Sequence, residues 1–166
     1  MTTKDVLVEA LALKDVDRAG WRRVGHPRPE SVAAHSWGVA LAVLALCPPD
    51  LDRGRALAIA IVHDLAEVRV GDLTPHDGVP RDEKRRREED ALRAMLAPLP
   101  GADELLALWL EYEDGSTPEG RFVKACDKLD MGLQALRYAS AGLATTEHLE
   151  AARAALPVAL APLLAR

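Results

Sequence analysis

The stretch Ile59-Ala60-Ile61-Val62-His63-Asp64-Leu65-Ala66-Glu67 constrains this chain more than any other. An apolar run of this kind ordinarily finishes as core, yet here it closes on a histidine, an aspartate and a glutamate. On a continuous helix His63 and Glu67, four apart, share a face, and Asp64 stands about 100° round from His63. Such a cluster at the end of a buried segment is costly unless something positive meets it, and a bound divalent metal is the simplest partner. Val70-Gly71-Asp72 follows, and its glycine ends the helix.

The rest of the chain reads as helix too. Ala and Leu dominate the apolar residues while aromatics make up 4% of the chain, a mixture that favours helices over strands. Residues 3–14 hold Val6, Leu7, Ala10, Leu11 and Leu13 at helical spacing behind a threonine cap. A loop from Asp15 to Glu30 carries Gly20, Gly25, Pro27 and Pro29 as breakers. Ser31 caps a helix to about Leu46, and a third helix runs from Asp50 or Asp52 through the opening stretch to Glu67 or Val68. Further helices are expected from Arg81 to Pro98, from Asp103 (its cap) to Asp114, and from Thr117-Pro118 to about Tyr138, with one or two short ones between Thr146 and Arg166. The expectation is an all-α bundle of about six to eight helices forming one domain over residues 1–166.

Several function classes lack support. The balance of 26 acidic and 21 basic residues forms no nucleic-acid stripe. Arg81 to Asp90 is charged throughout, but its mixed signs cancel the field and suit a solvated helix face laced by pairs such as Lys84 with Glu88. The start, Met-Thr-Thr-Lys-Asp, has no positive segment followed by an apolar core, and no apolar run reaches the roughly 18 residues of a membrane span. Cys47 and Cys126 have no paired spacing and read as reduced thiols. A cytoplasmic protein is expected. There is no nucleophile elbow, Walker loop or dinucleotide fingerprint.

What remains is histidine and aspartate for a metal, arginine for an anion, and carboxylates for proton transfer. His35 lies in an otherwise apolar helix, where a satisfied core histidine is the alternative to a ligand. Asp127 faces inward beside Val123 and Cys126, and an ion pair with Lys124 would explain it equally. The 15–30 loop concentrates Arg18, Arg22, Arg23 and Arg28, as loops that meet anions do, although a solvated connector has the same composition. Two imidazoles and two carboxylates suit Co²⁺, Mn²⁺, Fe²⁺, Ni²⁺ or Zn²⁺ better than Ca²⁺.

The order His35, His63-Asp64, Asp127 resembles the HD-domain metal-dependent phosphohydrolases. The surrounding segments sharpen the likeness: Arg18-Ala19-Gly20-Trp21, Arg28-Pro29-Glu30-Ser31-Val32-Ala33-Ala34-His35-Ser36, Val62-His63-Asp64-Leu65-Ala66-Glu67, Val70-Gly71-Asp72-Leu73-Thr74-Pro75 and Phe122-Val123-Lys124-Ala125-Cys126-Asp127-Lys128. Together they are similar to the branch of YfbR-like 5′-deoxynucleotidases and HD domain-containing protein 2, over roughly residues 5–140.

That resemblance implies a divalent metal held by His35, His63, Asp64 and Asp127, and Glu67 beside the attacking water. It implies Arg18 on the 5′-phosphate, Asp72 in the substrate site and protonating the leaving group, and Thr74 and Pro75 as pocket wall. The implied reaction is hydrolysis of deoxynucleoside 5′-monophosphates by a homodimer; composition and hydropathy add the expectation that neither nucleic-acid polymers nor membranes are partners. Hydrolysis of another nucleotide, a triphosphate or diester, and a non-catalytic nucleotide-binding domain are the competing readings. In the bacterial pattern a tryptophan directly follows the phosphate-binding arginine, whereas Ala19 and Gly20 intervene here before Trp21. The sugar-discriminating contact therefore does not carry over.

Overall fold

The computed structural model describes residues 1–165. Among them are seven α-helices of eight residues or more: α1 (Thr3–Ala10), α3 (Val32–Leu46), α4 (Arg53–Val62), α6 (Arg81–Leu96), α7 (Ala102–Asp114), α8 (Pro118–Ser140) and α9 (Thr146–Ala155). Two single-turn helices, α2 (Ala19–Arg23) and α5 (Glu67–Val70), complete the set with short 3₁₀ turns. The only extended pairing among the described residues is an isolated antiparallel bridge between Asp17 and Ser31. The all-α expectation holds.

The expected caps form at most starts. The hydroxyls of Thr2, Ser31 and Thr117 accept from Asp5, Ala34 and Gly120 amides, and the Asp52 carboxylate accepts from the Arg55 amide. Each satisfies an amide that has no partner inside its helix. Asp103 is not a cap: α7 starts at Ala102, with Gly101 two residues before Asp103 as its N-cap and no side-chain cap.

The long central α8 packs against α3, α4, α7 and α9. Val39, Val43, Ile59, Leu92, Trp109, Val123 and Leu129 fill the interior between them. Gly120 lies where α8 crosses α7, and a Cβ there would collide with the main-chain carbonyl of Glu111. Cys126 is in this core and Cys47 is partly covered; both are free thiols.

Three expectations need correction. The first helix tightens to a 3₁₀ turn over Leu11–Lys14. The Asp15–Glu30 loop contains α2, held because the Asp72 carboxylate accepts from the Ala19 amide at 2.8 Å. The third helix does not run through to Glu67. It stops at Val62, and the chain continues in i→i+3 turns, with Leu65 N–H donating to Val62 O and Glu67 N–H to Asp64 O, before α5 begins. Tighter turning re-aims successive side chains, so His63, Asp64 and Glu67 all face the same interior region without sharing one helical face. Arg166, the end of the expected tail, lies outside the described residues.

Candidate metal centre

Three separate segments meet at one point. His35 comes from the first turns of α3, His63 and Asp64 from the link between α4 and α5, and Asp127 from the middle of α8. His35 is 0% exposed, His63 2% and Asp127 5%. His35 Nε2 lies 3.2 Å from Asp127 Oδ1 and 3.7 Å from Asp64 Oδ2, and His63 Nε2 lies 3.2 Å from the same Asp64 oxygen. Donor atoms of His35, His63 and Asp64 all fall within 4.8 Å of one another.

The opposite edge of each imidazole is occupied. His35 Nδ1 is 2.7 Å from Asp130 Oδ2, and His63 Nδ1 is 2.8 Å from the Ala60 carbonyl. Both acceptors call for a proton on Nδ1, which leaves Nε2 with its lone pair pointing into the cluster. Asp127 is divided in the same way: its Oδ2 accepts from the Tyr112 hydroxyl at 3.0 Å and from Lys128 Nζ at 2.9 Å, while Oδ1 turns toward His35. Lys124, the partner considered from sequence, instead lies over the Tyr112 ring, 4.6 Å from its centroid.

Three buried atoms here, His35 Nε2, His63 Nε2 and Asp64 Oδ2, have no hydrogen-bond partner in the protein. Unpaired buried polar atoms are expensive, and three lone pairs converging with a fourth carboxylate oxygen fit a divalent cation. The charges agree. Burial opposes ionisation of Asp64 and Asp127, but the adjacent cationic groups hold both well below the usual carboxylate range. Burial and the Arg18 charge disfavour a proton on His35; the Asp127 and Asp130 carboxylates outweigh them and raise its pKa to about 9. A proton attracted that strongly marks a place made for positive charge.

Around this point opens a cleft of about 600 Å³. Arg18 projects into it from the start of α2, its guanidinium 3.7 Å from Asp64 and 3.8 Å from Asp72. The Asp17–Ser31 bridge and the Arg18 N–H to Glu30 O bond hold the chain on either side. Gly71, at φ 76°, makes the reversal that returns Asp72 to α2. Glu67 is buried, its Oε2 has no partner, and burial together with the charges of Asp64 and Asp72 pushes its pKa well up. Thr74 and Pro75 line the rim, where Thr74 caps a 3₁₀ turn and exchanges hydrogen bonds with Asp77.

Arg18, His35, His63, Asp64, Glu67, Asp72, Thr74, Pro75 and Asp127 thus border the cleft or the donor cluster, whereas Arg22 and Arg28 of the same loop do not line it. Sequence reasoning missed their supports: Asp130, which orients His35; Tyr112, which occupies one oxygen of Asp127; and the Ala60 carbonyl. Asp130 had a signal, since it lies one turn after Asp127 on the same helix. Tyr112 had none, because α7 reaches the site only through tertiary packing.

An all-helical domain that gathers two histidines and two aspartates from separate segments, with an arginine beside them, is built to hold a metal against an anion. The HD domain family profile matches residues 10–154, and the chain belongs to the HD-domain family. Among curated proteins it is similar to the 5′-deoxynucleotidase hdd1 of Schizosaccharomyces pombe, 42% identical over 132 residues, covering 76% of this chain and 67% of that one. It is also 42% identical to the 5′-deoxynucleotidase HDDC2 of Homo sapiens over 128 residues, covering 76% and 63%. The chain spans about two thirds of the length of these relatives or slightly less.

Among solved structures, a conserved hypothetical protein from Pyrococcus furiosus superposes with a TM-score of 0.79 at 37% identity, covering 90% of this chain and 87% of that one. A predicted metal-dependent phosphohydrolase from Magnetospirillum magnetotacticum follows at 0.75 and 27%, covering 97% and 88%.

Proposed function

We propose that this chain is a metal-dependent 5′-deoxynucleotidase, converting deoxynucleoside 5′-monophosphates to deoxynucleoside and phosphate. The observation that carries the reading is the convergence of unpartnered His35 Nε2, His63 Nε2 and Asp64 Oδ2 with Asp127 Oδ1, next to a partly buried arginine. The curated names of its relatives at about 40% identity support the substrate.

His35, His63, Asp64 and Asp127 hold the ion, and their mixed nitrogen and carboxylate donors suit Co²⁺, Mn²⁺, Fe²⁺, Ni²⁺ or Zn²⁺. When bound, such an ion supplies positive charge and a water of lowered pKa. Arg18, charged and shielded from solvent, binds the phosphate oxygens and stabilises the charge that grows on them during displacement. Its two carboxylate neighbours hold the guanidinium in place before substrate arrives.

Glu67 keeps a proton more readily than an ordinary glutamate, so it can exchange one with the attacking water. Asp72, held by the Ala19 amide beside Arg18, borders the cleft, and the family likeness supports its passing a proton taken up from water to the leaving 5′-oxygen. Thr74 and Pro75 shape the adjoining wall.

A homodimer is supported by an apolar stripe on α3: Trp37, Leu41 and Leu44 recur at helical spacing and are 68%, 49% and 50% exposed. Two free cysteines suit a reducing, cytoplasmic setting. No helix among the described residues is long and apolar enough to cross a membrane.

The test is phosphate release from a panel of ribo- and deoxyribonucleoside mono- and triphosphates, in EDTA and with added Co²⁺ or Mn²⁺. Selective, metal-dependent release from deoxynucleoside monophosphates is expected. Preferred release from triphosphates, or none with any metal, would refute the reading.

A further inference from the structure

Helix α9 closes one side of the cleft with a narrow stripe. His148, Ala151 and Ala155 recur at intervals of three and four, and all border the cleft along with Met131 of α8. Alanine ends at Cβ, so the stripe leaves an apolar slot in the cleft that also contains Asp64 and Asp127. Its one polar ring belongs to His148.

Trp21, the aromatic nearest Arg18 in sequence, borders the same cleft but offers it almost no surface. It is 2% exposed, its indole N–H donates to Glu30 Oε1 at 3.0 Å, and Tyr138 meets it edge-on. The His148 ring lies stacked on the indole, with centroids 4.0 Å apart and planes 26° apart. His148 is therefore the partly open member of the stack. Gly20 admits it: a Cβ at that position would stand 2.8 Å from His148 Nε2.

The neighbouring Glu147 anchors α9 to two other walls of the cleft, meeting Arg23 of α2 at 2.5 Å and His76 of the Thr74–Asp77 turn at 3.1 Å. His148 Nδ1 is buried without a partner. Burial, against the pull of Glu147, keeps the His148 pKa below the ordinary histidine value, so the ring is neutral at neutral pH. A neutral, braced aromatic ring beside small apolar side chains suits a flat heteroaromatic ligand better than a sugar or a phosphate.

We propose that the His148–Ala151–Ala155 stripe with Met131 is the nucleobase subsite, His148 being the ring on which the base stacks. The inference rests on the nucleotidase reading and names how the far end of that substrate is held. Stacking tolerates every base, so the subsite selects for the presence of a base more than for its identity.

The test compares deoxyadenosine 5′-monophosphate with deoxyribose 5-phosphate, the same ester without its base, on the metal-loaded protein. His148→Ala lowers kcat/KM for the nucleotide about tenfold, mainly through KM, a loss typical of one stacked base. It leaves deoxyribose 5-phosphate within about twofold. His148→Phe, which keeps a ring, recovers most of the loss, and Gly20→Ala, which displaces the ring, reproduces it. Equal losses on both substrates, or none on the nucleotide, overturn the subsite.

Calorimetric binding of deoxyadenosine, which has no phosphate, provides a readout independent of turnover. His148→Ala should weaken it at least fivefold, and unchanged binding overturns the proposal. If that weakening occurs in a protein that releases no phosphate, the activity reading fails and the subsite stands. If the nucleotide is cleaved and His148→Ala is indifferent, the reverse holds.

Discussion

His35 and His63 each spend Nδ1 on a fixed acceptor and leave Nε2 free, so their chemistry is decided one bond away from the ion. Outer contacts of this kind commonly govern metal affinity by about 10- to 100-fold. Asp130→Asn should therefore weaken Co²⁺ binding by that factor in a calorimetric titration while leaving the fold intact. Gly38→Ala should act in the same direction, because a Cβ at Gly38 would collide with the Asp130 carboxylate. In EDTA the raised pKa of His35 becomes a stability effect. A group whose pKa is higher folded than unfolded stabilises fully below its unfolded value and loses that contribution as pH rises through the folded one. The stripped wild type should accordingly lose Tm between about pH 6.5 and pH 9. His35→Gln should show a flatter profile across that window.

The elements that carry these residues were legible to different depths. Capping hydroxyls and prolines mark the starts of α3 and α8 in sequence, because each cap is a local bond between neighbours three residues apart. The break after Val62 was not legible: Ile59 to Glu67 has no proline or glycine, and only the packed surroundings turn it. The pairing of Ala19 with Asp72, 53 residues away, which settles α2, was equally hidden. His35, His63, Asp64 and Asp127 stood out because polar groups in apolar segments need a reason, whereas Asp130 and Tyr112 look like ordinary surface and core residues. Between α7 and α8 the tight crossing depends on Gly120, whose absent side chain faces backbone that cannot move aside. Gly120→Ala should cost about 1–3 kcal/mol, read as a lower midpoint in urea unfolding. An unchanged midpoint would show that the helices separate freely.

For the whole molecule, the cleft gathers α2, the α4–α5 link, the Asp72 turn, α8 and α9 around one cluster of ligands. The exposed Trp37–Leu41–Leu44 face of α3 is a separate feature, and it is where the proposed homodimer would meet. Light scattering should give the mass of two chains for the wild type and of one chain for a Trp37→Glu, Leu41→Lys double variant; a monomeric wild type would remove that seam. The most direct measurement on the ligand cluster is phosphate release from a deoxynucleoside 5′-monophosphate as Co²⁺ is titrated into EDTA-stripped protein, for the wild type and for Asp64→Ala. Release should rise with one equivalent of metal in the wild type and remain at background in the variant. Full release by Asp64→Ala, or by the stripped wild type with EDTA still in excess, would contradict the account.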